Sequence, residues 1–91
     1  MKTLEDIKAD VKAGGKDEAC LAALCEFIAA NPGSDDAYLT RGMLHWRMGH
    51  RAEAINDLNA ALRINPQSQA STMLSSINTI LDFYDKGRYN P

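Results

Sequence analysis

Apolar positions recur along this chain at three- and four-residue spacing, the period of an α-helix packed along one side. Leu4, Ile7 and Val11 make the first stripe, and Gly14-Gly15 turns the chain after it. Cys20, Leu21, Leu24, Phe27 and Ile28 make the second, ended at Asn31-Pro32 because proline cannot continue the amide ladder. Asp35-Asp36 offers a capping start for a third helix, with Tyr38, Leu44, His45 and Met48 on an inward-leaning face. Gly49 stops that helix where a left-handed cap is wanted, and Gly49-His50-Arg51 forms the turn. A fourth stripe, Ala54, Ile55, Leu58, Ala61 and Leu62, runs to Asn65-Pro66. Met73, Ile77, Ile80, Leu81 and Tyr84, flanked by Leu74 and Phe83, form a last stripe that Gly87 ends.

The chain also repeats itself. Sliding it by thirty-four residues aligns Gly15 with Gly49, Leu24 with Leu58, Asn31 with Asn65, Pro32 with Pro66 and Ser34 with Ser68. Leu21 then faces Ile55, and Ile28 faces Leu62, as similar apolar matches. The pattern predicts two consecutive antiparallel helix hairpins, because a unit that cannot bury its apolar face alone stacks on its neighbour. Gly42, Ala54 and Ala61 are small where two helices must approach closely.

Residues 35–68 resemble a tetratricopeptide repeat. That pattern asks for a large aromatic, a glycine, a second aromatic, a mid-repeat glycine, an alanine, a large residue, another alanine and a closing proline. Tyr38, Gly42, His45, Gly49, Ala54, Leu58, Ala61 and Pro66 stand there in turn. Arg41 takes the place of a usual leucine and His45 that of a packed aromatic, which implies a looser or wetter end of this helix pair. Residues 1–34 resemble a degenerate first copy, with Leu4, Gly15, Leu24 and Pro32 in register, Lys8 replacing the small residue, and Cys20 and Phe27 replacing the alanines. Residues 69–91 correspond to a closing helix, as far as roughly Lys86, and a short tail. The implied architecture is one all-α domain of antiparallel helix-hairpin repeats, a right-handed α-solenoid of about five helices.

The function the resemblance implies is protein or peptide binding without catalysis, in a concave groove lined by the first helix of each pair. It places Lys2, Glu5, Ala9 and Lys12 there from the first copy, and Asp36, Leu39, Thr40, Met43, Trp46 and Arg47 from the second. Leu39, Met43 and Trp46 form an apolar stripe distinct from Tyr38 and His45. Two roles are open for it: Trp46 anchors a partner with Arg47 beside it, or the closing helix covers the stripe. Family members that clamp the acidic tails of heat-shock chaperones use lysine, asparagine and arginine side chains. Glu5, Ala9, Met43 or Thr40, Ala70 and Leu74 hold the matching positions, so that clamp is not expected. The closing stripe is wider than one neighbour needs. It seals the second hairpin, or it joins two copies through Met73, Ile77, Ile80 and Tyr84 as a homodimeric structural unit.

Composition narrows this reading further. Ninety-one residues, 45% hydrophobic and 24% charged, suit one folded domain. The net charge is -2 and the ten basic residues are scattered among twelve acidic ones, which speaks against nucleic-acid binding. Acidic residues follow Met1-Lys2-Thr3-Leu4 where a secretory signal would carry its apolar run, and no stretch approaches membrane-spanning length. A cytoplasmic protein with no membrane partner is therefore expected. Cys20 and Cys25 are turned roughly 140° apart on a helix and are expected as free, buried structural thiols. With only His45 and His50 as further soft ligands, neither a metal nor another cofactor is expected. No phosphate loop or nucleophile elbow occurs, and His50 reads as a solvated turn residue, so no enzyme is expected.

Overall fold

Four helices follow one another in the computed structural model: α1 (Leu4–Lys12), α2 (Asp17–Ala30), α3 (Asp35–Arg47) and α4 (Arg51–Ile64). A fifth, α5, is helical over residues 70–77. Residues 3–77 are described. What was expected of Lys2, Ile80, Leu81, Phe83, Tyr84, Gly87 and the tail therefore lies outside the described residues. Among those residues there is no strand, and the protein is all-α.

Local chemistry explains the helix limits. Thr3 and Asp6 form a reciprocal capping box at the start of α1. At α3 the cap is Ser34, not the Asp35-Asp36 pair. Ser34 Oγ accepts from the Ala37 amide at 3.3 Å, while the two aspartates occupy the first turn and complement the helix dipole. Asn31 and Asn65 are the C-caps of α2 and α4, so both Asn-Pro pairs lie outside the helices. Ser68 Oγ accepts from the Ala70 amide at 3.2 Å and opens α5.

Both mid-hairpin turns close in the same way. Gly14 and Gly49 have φ of +79° and +85°, the left-handed conformation that glycine enters without penalty. The next amide bonds back across the turn, Gly15 to the Asp10 carbonyl at 2.9 Å and His50 to the His45 carbonyl at 2.8 Å, the paired closure of a Schellman motif. The loops nevertheless differ by one residue. Between C-cap and next N-cap lie Gly14-Gly15 in the first hairpin and Gly49 alone in the second.

This difference corrects the register of α1. The second helices are thirty-four residues apart at both ends, Asp17 to Arg51 and Ala30 to Ile64. The turn glycines are thirty-five apart, Gly14 to Gly49. Ile7, rather than Lys8, therefore stands where Gly42 stands in α3. The packing agrees: Ile7 is buried in a cluster with Cys20 and Leu24, and a Cβ on Gly42 would lie 3.1 Å from Leu58 and 3.3 Å from the Ala54 carbonyl oxygen. Cys20 and Leu24 are the counterparts of Ala54 and Leu58.

α3 sits between two apolar clusters. Leu44 joins Ile7, Cys20 and Leu24 on one side, with Leu4, Val11, Leu21, Phe27 and Met48 around them. On the other, Leu58, Ala61, Ala70 and Ile77 are packed by Tyr38, Leu39, Trp46, Ile55 and Met73. A helix placed centrally in this way needs apolar residues on two faces. Among α1 to α4, the pair α3 and α4 packs most extensively.

The expected loosening at Arg41 does not occur. Its guanidinium forks onto Asp57 of α4, with Nε 2.8 Å from Oδ2 and Nη2 2.8 Å from Oδ1. Those bonds to Asp57 push the Arg41 pKa further above its ordinary value. His45 Nε2 lies 3.8 Å from the same carboxylate, so the two departures from the repeat pattern share one polar partner. Both cysteines are free, but only Cys20 is buried. Cys25 is exposed, with its Sγ 3.6 Å from Arg41 Nη1, which corrects the expectation of two buried thiols.

Candidate peptide-binding groove

The leading helices α1 and α3 stand side by side, held by two polar contacts. Lys8 Nζ lies 2.8 Å from Asp36 Oδ2 near one end. Near the other, Arg47 Nη1 donates to the Val11 carbonyl at 2.9 Å, which also accepts from the Gly14 amide at 3.2 Å, while Nη2 bonds Asp17 of α2. Between these contacts lies an open cleft of about 430 Å³. Lys8, Val11 and Lys12 line it from α1, Asp36, Leu39, Thr40, Met43 and Arg47 from α3, and Gln69 from the turn before α5.

The floor of the cleft is apolar. Met43 is 47% exposed, while Leu39 is half-buried and also packs toward α5. Thr40 spends its hydroxyl on the Asp36 carbonyl at 2.8 Å, which leaves the rest of its side chain to the cleft. Cationic groups dominate the rim, and Asp36 is its single acid. The hydrogen bond to Asp36 raises the Lys8 pKa above its ordinary value, against a smaller opposing effect of burial.

Of the residues expected in a groove, Asp36, Leu39, Thr40, Met43, Arg47 and Lys12 line this cleft and Glu5, Ala9 and Trp46 do not. Glu5 is displaced by the one-residue register shift and lies 3.9 Å from Lys8. Trp46 packs into the cluster shared with α4 and α5, and the Arg51 guanidinium lies 5.8 Å from its ring centroid. Ile77 is 2% exposed in the same cluster, and Met73 packs against it, so these two members of the expected self-association face contribute to the seal over α4. Ile80 and Tyr84 lie outside the described residues. Lys8, Val11 and Gln69 were missed; a thirty-five-residue offset, signalled by the second glycine of Gly14-Gly15, places Lys8 and Val11 opposite Met43 and Trp46.

Stacked helix hairpins with an open cleft between their leading helices define a helical-repeat protein. Residues 35–68, which comprise α3, α4 and the turn after them, match the family model of the tetratricopeptide repeat. That hairpin is thus similar to the tetratricopeptide repeat, a family whose repeats are protein-interaction modules and generally non-catalytic. Neither a comparison with curated proteins nor one with solved structures finds a match. Among the described residues, no helix is long and apolar enough to cross a membrane.

Proposed function

We propose that this chain is an adaptor that holds a segment of another protein in the cleft between α1 and α3. Val11, Leu39 and Met43 receive the partner's apolar side chains, and Lys12, Arg47 and Gln69 meet its backbone and polar groups. In this reading residues 1–34 are a degenerate first repeat, residues 69–91 close the array, and the protein works in the cytoplasm without catalysing a reaction. One observation carries the proposal: an apolar floor, with Met43 47% exposed, lies open within a cleft of about 430 Å³ between the two leading helices. A pocket of that size suits one or two side chains of an extended or helical segment.

Peptides selected from a displayed random library on the intact chain test it, with affinities measured by calorimetry for the wild type and for Met43→Glu. The expected result is micromolar binding that Met43→Glu weakens tenfold or more while its melting temperature stays near that of the wild type. Peptides that bind both proteins equally would remove the cleft as the site.

A further inference from the structure

His45 lies in the last turn of α3 and His50 is the N-cap of α4. The hydrogen bond that closes the turn joins these two residues, from the His50 amide to the His45 carbonyl at 2.8 Å, and Gly49 at φ +85° makes it possible. Such a closure sets the two flanking side chains against each other. The Nδ1 atoms lie 3.1 Å apart, with the ring centroids separated by 5.3 Å and the planes inclined at 46°. If one ring carries its proton on Nδ1, this is a hydrogen bond. With both protons on Nε2, both Nδ1 lone pairs are free beside the same small volume, and a small rotation of the exposed His50 ring turns them toward one point.

That volume has the dimensions of a chelate. Imidazole nitrogen binds zinc at about 2.0–2.1 Å, and an ion at that distance from two nitrogens 3.1 Å apart subtends an angle of roughly 100°. This falls between the right angle of octahedral and square sites and the tetrahedral angle. From this geometry we infer that His45 and His50 form a two-histidine binding site for a divalent transition-metal ion of the zinc or copper(II) class. Imidazole selects such ions over magnesium and calcium, which take oxygen ligands.

The surroundings support the ligand roles. Asp57 Oδ2 lies 3.8 Å from His45 Nε2, on the side of the ring away from Nδ1, and Arg41 fixes that carboxylate by bonding both of its oxygens. The negative charge there attracts a proton on Nε2 without a direct hydrogen bond, which leaves Nδ1 for the metal. The His45 side chain is only 13% exposed and is held by packing, whereas His50 is exposed and opens the site to solvent. Groups of three or more histidine, cysteine or acidic side chains able to hold a metal are absent among the described residues. The site is thus a chelate with remaining positions for water or an external donor, unlike a closed structural site.

Zinc chloride titrated into the intact chain, followed by NMR of the histidine ring nitrogens, tests the assignment. One zinc per chain, moving both Nδ1 resonances and raising the melting temperature, is expected. His50→Ala, a change at an exposed position, then weakens zinc binding tenfold or more and removes the rise in melting temperature. His45→Gln does the same if it folds. Because Cys25 is an exposed thiol, the titration is repeated in Cys25→Ser, where zinc binding persists. Equal zinc affinity in His50→Ala and wild type, unmoved Nδ1 resonances, or loss of binding in Cys25→Ser would each overturn the site.

Discussion

Arg41 of α3 and Asp57 of α4 meet as fork and carboxylate, through two 2.8 Å hydrogen bonds across the hairpin. The Asp57 side chain is 8% exposed and that of Arg41 22% exposed. Removing one partner from a buried pair strands a charge at a cost of about 3–5 kcal/mol, which the partial exposure of Arg41 lowers to about 2–3 kcal/mol. Arg41→Ala is predicted to lose that much in urea unfolding. The double variant Arg41→Leu, Asp57→Ala recovers most of it, because no charge is then stranded. Equal losses in the single and double variants would mean that the pair does not hold the hairpin.

The one-residue register shift in α1 makes neighbouring positions behave oppositely. Ile7 is 2% exposed, and Ile7→Ala is predicted to cost about 2–4 kcal/mol through lost burial and the cavity left behind. Lys8→Ala changes stability by less than about 1 kcal/mol, since its contacts with Asp36 and Glu5 are solvated. Chemical denaturation of the two variants separates the registers, and the reverse order would restore the thirty-four-residue alignment for α1.

Lys8 gives a pH dependence of definite sign. Its folded-state pKa lies above 10.5, chiefly through the hydrogen bond to Asp36. The stabilisation is therefore fully present below the unfolded pKa and is lost as pH rises through the folded one. An NMR titration of the Lys8 side chain should show a midpoint above the ordinary lysine value, moved downward by Asp36→Asn. A midpoint unaffected by that substitution would show that the two groups do not pair in solution.

Trp46 and Met43 lie three residues apart on α3 but are predicted to fail differently. Trp46 packs into the cluster with Leu58, Ala61 and Ala70, so Trp46→Ala costs about 2–4 kcal/mol of stability. Met43 is 47% exposed, and Met43→Ala changes stability by less than about 0.5 kcal/mol while weakening the peptides selected on the chain. Melting curves and calorimetry on the two variants check both statements.

The helices α1 to α4, their order and their stops were legible because each rests on local signals: apolar spacing, proline after α2 and α4, and a glycine at the α3 turn. The register of α1 was not. Its three apolar residues, Leu4, Ile7 and Val11, tolerate a shift of one, and the Gly14-Gly15 pair offers two glycines for one left-handed position. That ambiguity hid Lys8 and drew Glu5 into the expected groove. The fork of Arg41 on Asp57 was hidden differently, since it joins two helices and leaves no local periodicity. Trp46 could not be placed because an apolar face that binds a partner and one that packs on a fifth helix look alike in sequence. Cys25 shares a helix with Cys20 but lies on another face, which a count of thiols does not reveal.

Whether the α1–α3 cleft receives the partner decides the function of the chain. Amide NMR shifts mapped on the intact chain during titration with a library-selected peptide measure this directly. The predicted footprint covers Lys8, Val11 and Lys12 together with Leu39, Met43 and Gln69, and leaves the exposed residues Glu26 of α2 and Glu53 of α4 unchanged. A footprint centred on α2 and α4 instead would contradict it.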